Sequence, residues 1–432
     1  MESQKKGSSG SLILLIFSGE LIFILPYFIP RVFRPTFLEV FNLNNFQTAS
    51  LLSIYGIVAF FSYLFGGPLA DRFKPNRLIG VALLLTALGG LVLASYPTYL
   101  VLKILYGYWG FTTVLLFWGA MIKATRIWGG AIHQGKAFGF LEGGRGLVAS
   151  LMGTAGVFLF TLFSVEEEHL QTLVTQQEAF RYVILFCVVI VGAAGVVVFA
   201  FLENPKYAIT EQQSVSKTLT NFKILLKQES VWLLTLIIMC AYFGYKVTDI
   251  YSLFAFNVMG YDEAEAANIS ALQLYLRPIV AISVGFLADK TSAIVWVKRG
   301  FGIMLLGALL FASGIIKQEQ NVLFFFSLIM LASGTYAIRA LYFSLLKQGV
   351  IPLALTGTAV GLISLTGYTP DIFAGPIIGY FLDHYPGLIG HQIVFLFLSG
   401  FALIGFLATL RFSSRTNKPT TPKKNTLFFK RG

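Results

Sequence analysis

A set of ionisable side chains lies inside long apolar stretches of the sequence. An ionisable group at membrane depth costs several kcal/mol unless it faces water or a charged partner, so each of these residues is a candidate for function. Binding of a charged solute and transfer of a proton are the two kinds of chemistry that such groups support. The set comprises Glu20, Lys103, Lys123, Glu142, Arg145, Lys246, Asp249, Arg277, Arg339 and Asp371.

Three of the cations have no acidic residue within one helical turn in the sequence. Arg277 precedes Pro278 in the middle of an apolar stretch, and Lys123 and Arg339 lie in similar short motifs in the two halves of the chain. If Lys123 and Arg339 face a central cavity from both halves, they provide the paired positive charge that a small anion requires. The alternative for Lys123 is that its side chain extends from a helix end to the lipid headgroups.

Two charged pairs are spaced three residues apart, which places the members of each pair on one face of a helix. The pairs are Glu142 with Arg145, and Lys246 with Asp249. Each pair is interpreted either as a structural salt bridge or as a contact that changes when the protein changes conformation. The residues predicted to bind a solute are Arg339, Arg277, Lys123, Lys246, Arg145, Tyr245 and Tyr368.

Carboxyl groups in the same stretches are candidates for reversible protonation, because apolar surroundings favour the neutral form. Glu20 and Asp371 are the strongest candidates, and Asp249 and Glu142 are further ones. Asp371 follows Pro370, which predicts a kink in its helix. The alternative role of Glu20 is to neutralise a cation on the fifth or seventh apolar stretch.

The composition requires lipid as the solvent for most of the chain. Of 432 residues, 56% are hydrophobic and 12% are charged, and the mean hydropathy is +0.75. A soluble domain carries about twice that charged fraction. A transmembrane helix requires about 20 apolar residues, and the apolar stretches do not alternate as the strands of a β-barrel would. Twelve transmembrane helices are predicted near residues 11–32, 47–67, 78–97, 99–122, 138–163, 180–202, 231–257, 267–288, 299–316, 321–346, 356–382 and 391–411.

Other classes of protein lack support in the sequence. There is no G-x-x-x-x-G-K-[ST] motif for nucleotide binding, and no cluster of histidines or activated nucleophile indicates an enzyme. Cys187 and Cys240 lie inside apolar stretches without metal-ligand spacing, so we interpret them as core residues. We therefore expect no enzymatic activity, no cofactor and no metal.

Basic residues concentrate in alternate connections between the predicted helices, which predicts the orientation of the chain. The net charge of +12 comes from Lys and Arg before the first helix, after each even-numbered helix and in the tail. The opposite connections hold the acidic sequences "SVEEEH" and "YDEAE", and Arg31 and Arg34 are exceptions to the pattern. The positive-inside rule then places both termini in the cytoplasm, in a membrane such as the bacterial inner membrane. This distribution argues against nucleic acid as a partner.

The two halves of the sequence contain two matching motifs at nearly the same offset. "GPLADR" at 67–72 matches "GFLADK" at 285–290, and "AMIKA" at 120–124 matches "YAIRA" at 336–340. A shared offset indicates an internal repeat. The longest connection with basic charge, residues 204–230, divides six predicted helices from six.

The pattern G-x-L-A-D-R/K after the second helix, repeated after the eighth, resembles the signature loop of the major facilitator superfamily. The resemblance implies an all-α membrane protein with twelve transmembrane helices in two six-helix bundles, related by a pseudo-two-fold axis along the membrane normal. It also implies a latch between the bundles that forms in one conformation and breaks in the other. The first copy carries Lys74, Pro75 and Asn76 where the family has a glycine and basic residues. The implied latch residues are Gly67, Asp71, Arg72, Gly285, Asp289 and Lys290.

The resemblance divides the chain into an N-terminal segment (1–10), a first bundle (11–203), a linker (204–230), a second bundle (231–412) and a basic tail (413–432). The function expected is secondary active transport of a small, polar, anionic organic solute by alternating access, driven by protons or by exchange, in a monomer. An amino-acid, siderophore or other carboxylate carrier of the same fold is the alternative. A non-transporting receptor is disfavoured, because it would not require unpaired charges at membrane depth.

Overall fold

The computed structural model describes residues 8–43, 45–130, 132–164, 173–204, 215–261, 263–385 and 387–416. In these ranges the chain forms helices joined by short connections, and no strand occurs. The acidic residues 166–168 and the basic tail beyond residue 416 lie outside the described residues.

Twelve long helices, numbered here as α1 to α12, account for most of the described chain. They coincide with the twelve predicted stretches, although several extend further at their charged ends. Their bounds are α1 Ser9–Val32, α2 Asn45–Arg72, α3 Pro75–Ala94, α4 Tyr99–Gly129, α5 Gln134–Ser164, α6 Leu173–Phe201, α7 Glu229–Asn257, α8 Glu263–Lys290, α9 Ala293–Ala312, α10 Asn321–Gln348, α11 Thr356–His384 and α12 Leu388–Thr416. A shorter linker helix, Val215–Leu226, precedes α7.

Ten of these helices are, within the described residues, long and apolar enough to cross a membrane by length and composition. The other two are α8 and α11. Helix α8 carries charged residues near both ends as well as Arg277 in its interior. Helix α11 is divided into Thr356–Gly367 and Pro370–His384.

Several helices lose regular α-helical geometry near their middle. Helix α1 contains a π-helical segment at Ile24–Phe28, and α4 contains one at Phe111–Trp118. Helix α7 passes through a 3₁₀ segment at Thr248–Ile250. The break in α11 lies directly before Asp371, at the kink that Pro370 predicts. Such irregular segments are common where helices carry functional side chains.

The two halves of the chain approach each other most closely at one end, here called the latch end because Asp71 and Asp289 lie there. At this end α2 packs against α11, and α5 packs against α8. A Cβ atom added to Gly67 would lie 2.5 Å from the carbonyl oxygen of Gly357, and one added to Gly285 would lie 2.7 Å from that of Gly135. Only glycine permits backbones to come so close, as the repeated motif predicts for Gly67 and Gly285.

Candidate solute site and latch

The centre of the molecule holds a carboxylate that is surrounded by three guanidinium groups. Glu142 on α5 accepts from Arg277 on α8 and from Arg339 on α10. Its Oε1 lies 2.8 Å from Arg277 Nη2 and 2.6 Å from Arg339 Nε. Its Oε2 lies 3.2 Å from Nη1 of Arg145, one turn further along α5. The predicted Glu142–Arg145 pair is therefore part of a larger cluster that joins the two halves of the chain.

Glu20 on α1 completes this cluster, which we call the arginine cluster: Glu20, Glu142, Arg145, Arg277 and Arg339. Glu20 Oε2 lies 3.2 Å from Arg145 Nε, which agrees with its alternative role as the partner of a cation on the fifth helix. Three positive charges face two negative charges, so the cluster retains one positive charge. An excess charge at this depth requires solvation by water or a counter-charge from a solute.

The arginine side chains are buried but not fully paired. The side chains of Arg145, Arg277 and Arg339 are 6–9% exposed. Nη1 of Arg339 has no hydrogen-bond partner among the described residues. The Arg339 guanidinium also lies over the ring of Tyr245, with Cζ 3.7 Å from the ring centroid, a cation–π contact that holds it in place. Donor capacity thus remains at the point where the two halves meet.

A second ion pair, Lys246 with Asp371, lies near the arginine cluster. Tyr242 contacts both, because its ring lies 5.7 Å from the Arg339 guanidinium and its hydroxyl binds Asp371. Lys246 Nζ on α7 lies 2.5 Å from Asp371 Oδ1 on α11, and the Tyr242 hydroxyl donates to both oxygens of Asp371 at 3.1 and 3.0 Å. The Lys246 and Asp371 side chains are 26% and 30% exposed. These groups therefore border open space, whereas the arginines are nearly enclosed.

The interpretation of Lys246 and Asp249 as a structural salt bridge is wrong, because the two residues do not pair in this conformation. Asp249 instead pairs with Arg31 on α1, at 2.8 Å between Nη2 and Oδ1, and both side chains are about half exposed. Spacing along one helix identifies neighbours on that helix only, and here each residue has a partner on a different helix. The Arg31–Asp249 pair lies at the end of the molecule opposite the latch and joins the two halves there.

Lys123 makes its contacts at the latch end, whereas its repeat mate Arg339 contacts Glu142. Lys123 Nζ donates to the carbonyl oxygens of Ala70 and Asp71 at 3.0 and 3.2 Å, and lies 3.5 Å from Asp71 Oδ1. Its side chain is 3% exposed. The structure thus differs from both expectations for Lys123: it does not pair with Arg339 across a central cavity, and it does not extend to lipid headgroups.

At the latch end, each of the two aspartates of the repeated motif caps a helix of the other half. Asp71 accepts from the backbone N–H groups of Gly357 and Thr358 at 2.8 and 2.7 Å, and from the Thr358 hydroxyl at 2.6 Å. Asp289 accepts from the N–H groups of Gly135 and Lys136 at 2.7 and 3.2 Å. These are the free donors of the first turns of α11 and α5, where a negative charge is favourable.

The basic residues of the repeated motif do not make these capping contacts. Arg72 and Lys290 are exposed at the ends of α2 and α8. His133 lies near Asp289, with 3.6 Å between Nδ1 and Oδ2. The carboxylates bind backbone N–H groups, so the latch depends on the position of a helix N-terminus more than on a partner side chain.

Arg126 is a latch residue that the sequence analysis missed. Its guanidinium donates to the Thr356 hydroxyl at 2.7 Å and to the Ile351 carbonyl at 2.6 Å, and the side chain is buried. The sequence analysis counted Arg126 only as one of the basic residues of a connection. Its position three residues after Lys123, on the same helix face, is the one signal that pointed to a shared role.

Aromatic rings enclose the space beside the arginine cluster. Tyr368 stacks on Tyr63 at 5.6 Å between ring centroids and meets Trp118 and Tyr242 edge-on at 5.6 and 4.7 Å. Its hydroxyl lies 3.0 Å from that of Tyr342. Rings from both halves therefore meet at the break in α11. The sequence analysis included Tyr368 and Tyr245 but not Tyr63 or Tyr242, because tyrosines are frequent throughout this chain.

Comparison with known proteins gives a consistent result at the level of the family. A family model described as the Major Facilitator Superfamily matches residues 16–374. Inner membrane protein YqcE of Escherichia coli (strain K12) is 24% identical over 411 residues, covering 93% of this chain and 93% of that protein. Inner membrane protein YihN of the same strain is 25% identical over 425 residues, covering 97% and 98%.

Solved structures of similar fold are transporters. FucP in the outward conformation has a TM-score of 0.74 and 14% identity, covering 93% of this chain and 98% of that one. A mutant of XylE has a TM-score of 0.73 and 14% identity, covering 93% and 95%. A bacterial homologue of the iron transporter ferroportin, in an outward-facing state, has a TM-score of 0.66 and 15% identity, covering 94% and 99%. At these identities the likeness establishes the fold alone.

Proposed function

The chain belongs to the Major Facilitator Superfamily, and from that membership we propose that it is a secondary transporter that carries a small anionic organic solute by alternating access. It is a membrane-spanning transporter and not an enzyme. The proposal concerns the solute, the residues that bind it and the energy source. It includes a monomer in the bacterial inner membrane with both termini in the cytoplasm.

The observation that carries the proposal is the excess positive charge of the arginine cluster at the interface of the two halves. Arg277 and Arg339 come from the second half, and Arg145 comes from the first. In transporters of this kind the solute binds near the midplane between the halves, where both can contact it. A buried guanidinium with an unused donor, such as Arg339, binds an anionic group through charge-assisted hydrogen bonds.

The conformation supports access from one side. At the latch end the halves are joined by Asp71, Asp289 and the closely packed glycines Gly67 and Gly285. At the other end the pair of Arg31 and Asp249 is half exposed. With the orientation that the positive-inside rule predicts, the latch end is cytoplasmic and this conformation accepts solute from outside.

The four predicted proton carriers lie in three different settings. Glu20 and Glu142 lie in the arginine cluster, so their charge is linked directly to that of a bound anion. Asp371 pairs with Lys246, and Asp249 pairs with Arg31 at the molecular surface. We propose that Glu20 and Glu142 couple proton movement to transport.

A thermal-shift screen of the purified protein tests the proposal, because a ligand that binds the folded state raises the melting temperature. The screen compares phosphorylated, carboxylated and sulfonated solutes with neutral sugars and amino acids. We expect stabilisation by an anionic class only, and loss of that stabilisation in Arg339→Gln. Hits are then tested by counterflow in proteoliposomes. Stabilisation by a neutral sugar that persists in Arg277→Gln and Arg339→Gln would contradict the proposal.

Neutral sugars belong in the screen because of the named activities of two structural neighbours. FucP is described as a fucose:proton symporter and XylE as a proton:xylose symporter. The aromatic rings around Tyr368 offer faces on which a sugar could stack. The buried arginines nevertheless favour an anionic solute over a neutral one.

A zwitterionic amino acid is the second candidate, and Asp371 favours it. Asp371 is bound to Tyr242, and the Arg339 guanidinium lies 5.7 Å from the ring of the same Tyr242. The amino group of a solute whose carboxylate binds Arg339 would then compete with Lys246 for Asp371. An amino acid that stabilises the wild type but not Asp371→Asn would support this candidate.

A further inference from the structure

The charges of the arginine cluster are divided unevenly between the two halves of the transporter. The second half contributes only cations, Arg277 and Arg339, and therefore two positive charges. The first half contributes Glu20, Glu142 and Arg145, and therefore one net negative charge. The second half therefore carries the groups that can bind an anion, and the first half carries the carboxylates that can bind a proton.

The carboxylate of Glu142 contacts Arg277 and Arg339 of the second half in the way that the carboxylate of a bound solute would. Its Oε1 accepts hydrogen bonds from Arg277 Nε at 3.1 Å and from Arg339 Nε at 2.6 Å, and it lies 2.8 Å from Arg277 Nη2. One oxygen atom thus lies against three guanidinium nitrogens, while Nη2 of Arg277 and Nη1 of Arg339 stay buried without a hydrogen-bond partner among the described residues. A carboxylate leaves donors unused in this position, and an anionic group with more oxygen atoms would use them.

We propose that Glu142 occupies the anion site when the transporter is empty, that a dianionic solute displaces it from Arg277 and Arg339, and that the displaced carboxylate takes up one proton. This inference rests on the proposed function and names the charge of the solute and the proton carrier. The proton comes from hydronium or a buffer acid on the accessible side, whose bond to that proton breaks as an O–H bond forms on a carboxylate oxygen of Glu142, and the conjugate base stays in solution. No other covalent bond forms or breaks.

The proton follows from the groups that remain around Glu142 after displacement. On its own helix Glu142 faces Arg145, and α1 contributes Glu20, which shares that arginine. Two carboxylates on one guanidinium repel each other, and such a pair holds one proton between them. Helices α8 and α10 contribute Arg277 and Arg339, which the solute then occupies.

Among the described residues, the other helices near α5 place no further charged side chain against Glu142. Helix α4 contributes Trp118, whose ring lies 6.0 Å from the Arg145 guanidinium. On α6, Arg181 donates to the carbonyl of Ala94 on α3. On α7, Tyr245 lies under Arg339, and Lys246 is neutralised by Asp371.

The loaded cluster is neutral with this stoichiometry. When Glu142 carries a proton, the three positive charges of the arginines equal the one negative charge of Glu20 plus the two of a dianion. A monoanion neutralises the cluster without any proton, because the empty cluster has one excess positive charge. Binding of a dianion and of a proton must then strengthen each other equally, as linkage requires, whereas a monoanion binds without this coupling.

The experiment uses sulfate as a dianion and nitrate as a monoanion, since neither changes its own protonation near neutral pH. Affinity for each is measured by thermal shift on the purified wild type and on Glu142→Gln. The double variant Arg277→Gln/Arg339→Gln serves as the control for general salt effects on stability. Proton uptake on anion addition is measured with a pH indicator in weakly buffered solution.

We expect Glu142→Gln to bind sulfate on the order of tenfold more tightly than the wild type at mildly alkaline pH, because the competing carboxylate is gone. This difference should shrink at mildly acidic pH, where the wild type binds sulfate more tightly. The wild type should take up about one proton per sulfate bound and none per nitrate. If Glu142→Gln does not fold, Glu142→Asp keeps the charge but shortens the side chain, and should give a smaller gain in the same direction.

Two results would overturn the inference while leaving the proposed function intact. One is tighter sulfate binding by the wild type than by Glu142→Gln. The other is binding of sulfate without proton uptake. If neither anion stabilises the wild type or Glu142→Gln beyond the level of the double arginine variant, the anion site itself is absent, and the proposed function fails together with the inference.

Discussion

The latch end and the arginine cluster use carboxylates in opposite ways. At the latch, Asp71 and Asp289 occupy matching positions in the internal repeat, and each binds backbone N–H groups of the other half. In the centre, Glu142 binds arginine side chains, and its partners Arg277 and Arg339 both come from the second half. The two halves thus use matching residues at the latch, where they close on each other. They use different residues in the arginine cluster, where we propose that a solute binds.

The repeat mates Lys123 and Arg339 show the same difference within a single pair of positions. Lys123 is buried at the latch against Asp71, whereas Arg339 is buried in the centre against Glu142. At the latch the two aspartates make equivalent contacts, one from each half. Recognition of a solute requires an asymmetric site, because a small solute has no internal two-fold axis.

The largest effect is expected from comparing Arg339→Gln with Lys123→Gln. Arg339→Gln should weaken solute binding by about a hundredfold, since a charge-assisted hydrogen bond at a buried site contributes about 1.5–3 kcal/mol. Lys123→Gln should leave solute binding within a few-fold of the wild type, since its contacts lie at the latch. Binding is measured by thermal shift with the solute identified in the screen. Loss of binding in Lys123→Gln, with binding retained in Arg339→Gln, would reverse the comparison.

The next effect is expected where the glycine backbones meet. Gly67→Val should block closure at the latch end, because even a Cβ there would lie 2.5 Å from the Gly357 carbonyl. Overpacking of this kind costs about 1–3 kcal/mol, which would populate the conformation open at the latch end. Distances between spin labels at the latch end measure this population. Gly379→Val, on the same helix as Gly357 but with no atom within 4 Å of an added Cβ, is the matched control and should not change it.

A smaller effect is expected from comparing substitutions of the two capping aspartates, Asp71 and Asp289. Asp71 accepts three hydrogen bonds from α11, whereas Asp289 accepts two from α5. Asp71→Asn should therefore open the latch more than Asp289→Asn, by about 1 kcal/mol, the usual net contribution of one hydrogen bond. The same spin-label distances report both variants. Equal effects would mean that the two latch contacts are energetically symmetric despite their different geometry.

The smallest effect is expected at the end opposite the latch. Arg31→Ala removes the ion pair with Asp249, whose side chains are 57% and 49% exposed. Exposed pairs contribute less than about 1 kcal/mol, so transport and melting temperature should stay close to those of the wild type. Lys246→Ala is the comparison, because it removes a less exposed pair with Asp371. A larger loss of transport in Arg31→Ala than in Lys246→Ala would show that the outer pair controls access.

The sequence predicted the helices and the repeated motif well, for a physical reason. An apolar stretch of about 20 residues can satisfy its backbone in lipid only as a helix, so the twelve helices follow from local composition. The break at Asp371 followed from Pro370 in the same way. Helix ends were less accurate: α2 continues to Arg72, beyond the predicted limit at residue 67, because a helix can extend past the hydrocarbon layer into water.

The partners of the charged residues could not be predicted from spacing. The sequence placed Lys246 with Asp249 and grouped Lys123 with Arg339, but both residues of each pair have partners on other helices. Arg126 was counted as a residue of a connection although it holds the α10–α11 connection through Thr356 and Ile351. Each of these contacts joins residues that are far apart in the chain.

The sequence by itself determined that this protein lies in a membrane, has helices as its spanning elements, repeats one motif in both halves and carries charges at depth. These properties depend on composition and on neighbours along the chain, which the sequence states directly. Only the tertiary structure decided that the predicted pair of Glu142 and Arg145 also meets Arg277 and Arg339, and that Lys123 belongs to the latch. The reason is that a charge in a low-dielectric interior takes the partner that is nearest in space, and that distance is set by how the helices pack.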